Sequence, residues 1–180
     1  MIFSILNKFS KIFLSFFTFF LLINSISYAE TKKNLDGWEN INWSEHNIKF
    51  SLPSDLKETE NTVNKYVAEN KNITFEMYPW KDKYLNEKDI ADKVFSDLGI
   101  EQKGLKIISK NNKKINGFSC YEIVGNGTLA SKPINFSVLG FINPKTSKAF
   151  ATYVLYWSNG NKDKSIEIEK EIIESISSVN

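Results

Sequence analysis

The chain has 180 residues, of which 42% are hydrophobic, and it carries 23 basic and 21 acidic side chains. This length suits one globular domain, which buries roughly 68–70% of the surface that its unfolded chain exposes. The small net charge excludes the strong positive field of a nucleic-acid-binding protein. Every basic residue is lysine, so the chain also lacks the arginine fork that phosphate and carboxylate sites favour.

Residues 1–29 have the pattern of a secretory signal peptide. Lys8 and Lys11 precede an uncharged run, Ile12–Ile23, and residues 27–29 place small side chains at a cleavage site. We expect cleavage before Glu30 and a periplasmic or secreted protein with no stable membrane span. Retention of this segment as an anchor is the alternative, since a spanning helix needs about 20 apolar residues. Cleavage would remove two lysines and no acid, leaving equal numbers of basic and acidic groups.

The first half of the mature chain predicts strands. Residues 30–46 are polar and show no sustained period, so we expect an extended N-terminal segment before a domain that covers residues 47–180. Apolar and polar residues alternate from residue 48 to 52, which predicts the first core strand. Residues 65–69 and 73–78 flank a short polar turn and predict a hairpin.

A helix with recognisable ends follows this hairpin. Asn86 can cap its N-terminus, Asp89 lies in its first turn, and Gly99 predicts its C-terminal end. The helix carries one apolar stripe, which consists of Ile90, Ala91, Val94, Phe95 and Leu98. This stripe is typical of a helix that covers a sheet.

The second half predicts four strands and a final helix. The strands are residues 105–115, 118–124, 134–142 and 149–157, and Asn116-Gly117 between the first two is a strong hairpin signal. Residues 163–177 predict an amphipathic helix whose apolar face is formed by Ile166, Ile172, Ile173 and Ile176. The sequence therefore predicts a single α+β domain. It has a largely antiparallel sheet of about six to seven strands in the order βββαββββα, covered by two helices.

The chain resembles the PsbP-like superfamily, which includes many small exported bacterial proteins. The resemblance covers about residues 41–177 and rests on four segments: "IKFSLP", "EKDIADKVFSDL", "INGFSCYEIVG" and "EIIESI". The superfamily has no shared catalytic site. The resemblance therefore implies an accessory or binding domain and transfers no active residues.

Few residues offer chemistry. His46 is the only histidine, and we expect it at the surface because Ser44, Glu45 and His46 share one irregular segment rather than converging from separate elements. Cys120 is the only cysteine, so no intrachain disulfide forms, and we expect a buried, inert thiol. One histidine and one cysteine do not complete a zinc site. We expect no catalytic residue, no metal and no cofactor.

The aromatic residues provide the one binding signal. Trp38, Trp43, Tyr78 and Trp80 lie near predicted strand edges, where large rings are typical either of ligand-binding surfaces or of packing. The leading hypothesis is an exported non-enzymatic domain that binds another envelope protein or a small apolar ligand. A hydrolase or transferase that uses carboxylates is the alternative, with Glu76, Asp82 and Glu122 as candidates. A purely structural envelope component is a third possibility.

Overall fold

The computed structural model describes residues 32–33, 37–81, 85–101, 104–129, 131–157 and 162–179. The predicted signal peptide and its cleavage site lie outside these residues. The elements, in chain order, are β1 (Lys32–Lys33), β2 (Trp38–Trp43), β3 (Ile48–Pro53), β4 (Lys57–Thr62), β5 (Lys65–Glu69), β6 (Ile73–Trp80), α1 (Glu87–Glu101), β7 (Lys106–Ile115), β8 (Phe118–Leu129), β9 (Lys132–Ile142), β10 (Ala149–Trp157), α2 (Lys162–Ser175) and β11 (Ser177–Ser178).

The strands form two antiparallel sheets. The large sheet has seven strands in the order β4-β5-β6-β10-β9-β8-β7, and the small sheet has the order β1-β2-β3-β11. The predicted α+β class, the antiparallel pairing and the two helices are confirmed. The structure adds strands that the sequence does not predict, among them β4. The predicted first core strand is β3, and it belongs to the small sheet, where it pairs with β2. A pattern of alternation identifies a strand but not the sheet that it joins.

Two hydrophobic cores lie on opposite faces of the large sheet. The first core lies between one face of the large sheet, the small sheet and α2, and Phe50 of β3 contacts Phe75 of β6 there with ring centroids 5.1 Å apart. The second core lies under α1, where Ile90 and Val94 pack on Phe136 and Val138. Strand β9 serves both cores and is buried from Ile134 to Phe141. This continuous burial is expected of a central strand that is covered on both faces.

Helix α1 packs on β8, β9 and β10. Its predicted cap is confirmed, because the Asn86 side chain accepts a hydrogen bond from the Asp89 backbone N–H at 3.0 Å. The predicted end at Gly99 is wrong, since the helix continues to Glu101. Gly140 of β9 faces this helix, and a Cβ there would clash with the backbone carbonyl of Glu87. The glycine therefore allows the close contact between α1 and the sheet.

Helix α2 buries Ile172 and Ile173 completely, and Ile176, directly after its last residue, is also buried, as the amphipathic pattern predicts. The expectation for Ile166 is wrong, because that side chain is 46% exposed. In place of a fourth isoleucine, the helix turns Glu169 inward, where only 5% of the residue is exposed. The inward face of α2 is thus interrupted by a titratable group.

The expected surface position of His46 is also wrong. His46 is 4% exposed, and its Nε2 lies 2.8 Å from the Val63 carbonyl oxygen. Its ring contacts the Trp43 ring edge-on at 4.2 Å. Burial lowers the pKa of His46 below its ordinary value. The short 3₁₀ helix Ser44–His46 explains the difference, because it turns this one side chain inward while Ser44 and Glu45 stay exposed.

Cys120 lies on the first-core face of β8 and is 2% exposed, so its predicted burial is confirmed. Burial raises the pKa of the thiol to about 12. A thiol with this pKa is protonated at neutral pH, and thiolate is the nucleophilic form.

Candidate functional site

A cavity lies on the same face of the large sheet as α1. The helix covers β8, β9 and β10, and beside it the sheet face over β5 and β6 opens into a cavity of about 830 Å³. Its lining residues are Asn64, Lys65, Glu76, Tyr78, Pro79, Trp80, Lys81, Leu85 and Lys93. We call this the Trp80 cavity. Its volume lies in the range of roughly 300–1,000 Å³ that is typical of small-molecule sites.

Two aromatic rings form the apolar part of the Trp80 cavity. Tyr78 and Trp80 are separated by one residue in β6 and therefore point to the same face of the sheet. Their ring centroids lie 6.1 Å apart, and both rings pack against the second core. Burial, followed by the charges of Glu76 and Asp97, raises the pKa of Tyr78 above its ordinary value. The rings are therefore fixed by packing and neutral at physiological pH.

A polar cluster forms the other end of the cavity. The Glu76 carboxylate pairs with the Lys65 ammonium at 2.9 Å and accepts a hydrogen bond from the Tyr153 hydroxyl at 2.7 Å. These contacts use both oxygens of the carboxylate. Glu76 was a candidate for carboxylate catalysis, and a general base needs an oxygen that can reach a substrate proton. Its geometry instead suits a structural ion pair that borders the cavity.

The structure separates the four aromatic residues that the sequence grouped together. Tyr78 and Trp80 line the same cavity, whereas Trp38 and Trp43 lie in β2 of the small sheet. Trp43 is fully buried in the first core and donates its indole N–H to the Thr62 carbonyl at 3.2 Å, so it is a core residue rather than a surface for a ligand. Trp38 is half-buried and packs against the first core.

The remaining carboxylate candidates lie elsewhere. Asp82 falls outside the described residues. Glu122 of β8 faces the first-core side of the large sheet, where it pairs with Lys113 at 3.1 Å and accepts a hydrogen bond from Ser137 at 3.4 Å. Glu169 of α2 lies beside it, and burial together with the charge of Glu122 raises the pKa of Glu169 to about 8.

Glu169 has one property of an acid–base catalyst, because burial raises its pKa toward neutrality. It lacks the other property, which is access. Glu169 is 5% exposed and Ser137 is 1% exposed, so a substrate does not reach them in this conformation. The cluster is a buried contact between α2 and the large sheet.

A second, smaller cavity of about 440 Å³ lies on the outer side of the small sheet. Some of its polar groups bind each other, whereas the side-chain oxygen of Asn42 has no hydrogen-bond partner among the described residues. The Ser51 hydroxyl donates to Asn40 at 2.7 Å, and the Ser175 hydroxyl oxygen accepts from the Ser51 backbone N–H at 2.8 Å. This cavity has about half the volume of the Trp80 cavity and lacks its floor of two aromatic rings.

Sequence reasoning missed six of the cavity residues: Asn64, Lys65, Pro79, Lys81, Leu85 and Lys93. The sequence contains a signal for Lys65. Side chains alternate along β5, so Tyr66 faces the first core and Lys65 points to the opposite face of the sheet. The side of β6 that carries Glu76, Tyr78 and Trp80 is that same face. Leu85 and Lys93 follow from the position of α1 on the sheet, which local sequence does not specify.

The described part of the chain contains no group of three or more His, Cys, Asp or Glu side chains that suits a metal ion. No helix in it has the length and apolar character needed to cross a membrane.

No protein-family model matches the chain, and no curated protein is similar in sequence. Among solved structures, the chain is similar to cyanobacterial PsbP (CyanoP) from Synechocystis, with a TM-score of 0.59 at 10% identity over 88% of this chain and 98% of that one. It is also similar to the Ran-binding protein Mog1p of Saccharomyces cerevisiae, with a TM-score of 0.57 at 7% identity over 85% of this chain and 97% of that one. At these identities the similarity is one of architecture, and the chain has the PsbP-like fold that CyanoP and Mog1p share.

Proposed function

We propose that the protein is an exported, non-enzymatic binding domain of the bacterial envelope and that it binds its ligand in the Trp80 cavity. One observation carries this proposal. Helix α1 covers β8, β9 and β10 but leaves a cavity beside it, and the packed rings of Tyr78 and Trp80 line that cavity. A concave site with an apolar floor and a few polar groups is the usual form of a small-molecule site.

The positions of the carboxylates favour binding over catalysis. Both oxygens of Glu76 are engaged by neighbouring side chains, and Glu169 lies out of reach of a substrate. The fold agrees with a binding role by analogy, because Mog1p is a Ran-binding protein. Export is supported by the charge, apolar run and small-residue site of residues 1–29.

A neutral fluorescent dye tests the site. Phenylnaphthylamine fluoresces in apolar surroundings, and we expect saturable binding to the mature chain. Trp80→Leu should weaken this binding by about tenfold, since the loss of one well-packed ring costs about 1.4 kcal/mol.

Trp157→Leu is the matched control. Like Trp80, Trp157 is half-buried and packs against the second core. Ala149 at the start of β10 pairs with Trp80, whereas Trp157 lies at the other end of that strand. Its substitution should change the dye affinity by less than about twofold. An equal effect of the two substitutions, or the absence of saturable binding, would contradict the proposed site.

A further inference from the structure

We infer that the ligand of the Trp80 cavity is a small amphiphile with an aromatic or aliphatic body and one anionic head group. This inference rests on the proposed function, since it assigns a chemical class to the occupant of that site. Three features of the cavity support it: its apolar floor, the balance of charge on its walls, and one hydrogen-bond donor without an acceptor.

The apolar floor selects the body of the ligand. Tyr78, Trp80 and Leu85 all line the cavity and all pack from there onto the second core. The rings are tilted by 37° to one another, so together they present a bent apolar surface. A flat ring or a short alkyl chain fits such a surface, and its burial is favourable at about 25 cal/mol per Å² of apolar area.

The charges on the walls select the head group. The lining residues include one acid, Glu76, which Lys65 neutralises at 2.9 Å. Two more lysines, Lys81 and Lys93, line the cavity and are exposed, and neither forms an ion pair with any described residue. Asp97 of α1 acts on the Tyr78 hydroxyl but is not a lining residue. The described walls therefore carry an excess of positive charge.

The unpaired indole N–H of Trp80 also favours an anionic head group. The indole N–H of Trp80 is shielded from solvent and has no hydrogen-bond acceptor among the described residues. A buried donor without a partner is uncommon in native proteins and costs about 1–3 kcal/mol. A carboxylate, sulfonate or phosphate oxygen of a ligand would satisfy it, whereas an ammonium group would not. The donor therefore favours a head group that carries an acceptor and disfavours a cationic one, in agreement with the lysines.

A matched pair of dyes tests the inference. Phenylnaphthylamine is neutral, and anilinonaphthalene sulfonate has the same ring system with an added sulfonate. At low salt the wild-type protein should bind the sulfonate about three- to tenfold more tightly, since exposed ion pairs contribute about 0.2–1 kcal/mol each. The double variant Lys81→Gln/Lys93→Gln should lose this preference and bind the neutral dye as the wild type does.

The control variant is Lys114→Gln/Lys132→Gln, which removes the same charge from exposed lysines outside the cavity. It should retain the preference. If both double variants lose it equally, the preference reflects net charge and the inference is overturned.

The remaining outcomes separate the inference from the function on which it rests. If the neutral dye binds in a Trp80-dependent manner and the sulfonate binds no more tightly, the ligand class is wrong while the proposed site stands. If neither dye depends on Trp80, both proposals fail, and the cavity then suits a protein segment better than a small molecule.

Discussion

Glu76 and Tyr153 lie directly opposite each other on β6 and β10, and the Tyr153 hydroxyl donates to the Glu76 carboxylate at 2.7 Å. With Lys65 on the other oxygen, this pair closes the polar end of the Trp80 cavity. We therefore expect this pair to stabilise the part of the large sheet that α1 does not cover.

Tyr153→Phe removes only the hydroxyl. We expect the free energy of unfolding to fall by about 1.5–3 kcal/mol, the usual range for hydrogen bonds to charged groups. The lower part of that range applies, because the Glu76 side chain is 15% exposed. Tyr156→Phe on the same strand is the control, since its hydroxyl makes no hydrogen bond with the described residues. It should change stability by no more than about 0.5 kcal/mol in denaturant titration, and equal losses would contradict the assignment.

Glu169 should make stability depend on pH. Its pKa is about 8 in the folded chain, against an ordinary value of 4.5, because of burial and the charge of Glu122. Between these values the folded chain holds a proton that the unfolded chain releases. The free energy of unfolding therefore falls as pH rises from about 4.5 to about 8, by up to about 1.4 kcal/mol per pH unit from this group.

Glu169→Gln keeps the shape of the side chain and removes the titration, so it should flatten this slope and stabilise the protein at pH 8. Glu167→Gln is the control, because Glu167 is exposed on the same helix. The groups that act on Glu169 from the sheet are Glu122 and Ser137, and Lys113 pairs with Glu122. His46, whose pKa is lowered by burial, contributes the opposite slope in all variants and cancels in the difference. Identical slopes in wild type and Glu169→Gln would refute the buried position of Glu169.

Ile173→Asp tests the packing of α2. Ile173 is completely buried in the first core. Truncation of a buried isoleucine costs about 2–5 kcal/mol, and a buried unpaired carboxylate adds to that, which is enough to unfold a domain of about 5–15 kcal/mol stability. Lys170→Asp on the exposed face should cost about 0.5 kcal/mol or less. Thermal melts compare the two directly, and a wild-type melt for Ile173→Asp would show that α2 is not a core layer.

The export proposal has a separate test. If residues 1–29 form a cleaved signal peptide, the protein recovered from the periplasm or medium should begin at Glu30. N-terminal sequencing of that protein decides the point. A chain that begins at Met1 in the membrane fraction would indicate a retained anchor instead.

The parts of the fold that depend on local chemistry could be predicted. The cap at Asn86, the Asn116-Gly117 turn and the alternation in β3 and β6 each follow from neighbouring residues, and each is present. The turn illustrates why, because Asn116 and Gly117 both have positive φ, which these two residue types adopt most easily.

The parts of the fold that depend on contacts between distant residues could not be predicted from the sequence. Strand β4 is entirely polar, Lys57 to Thr62, so it has no hydrophobic alternation, and its pairing with β5 alone makes it a strand. Gly99 does not stop α1, although glycine is frequent after helix ends. The candidate site could be predicted only in part. Tyr78 and Trp80 share a face of one strand, which the sequence shows, whereas Lys93 joins them only through the position of α1 on the sheet.

The central claim is that the protein binds its ligand in the Trp80 cavity, and the indole N–H signals of its four tryptophans test it most directly. In a two-dimensional proton–nitrogen NMR titration with anilinonaphthalene sulfonate, the Trp80 indole signal should shift progressively as its unpaired N–H gains an acceptor. The Trp43 indole, which is buried and bonded to Thr62, should not move, and neither should that of Trp157. A saturable titration in which the Trp80 signal stays fixed while another indole signal shifts would contradict the claim.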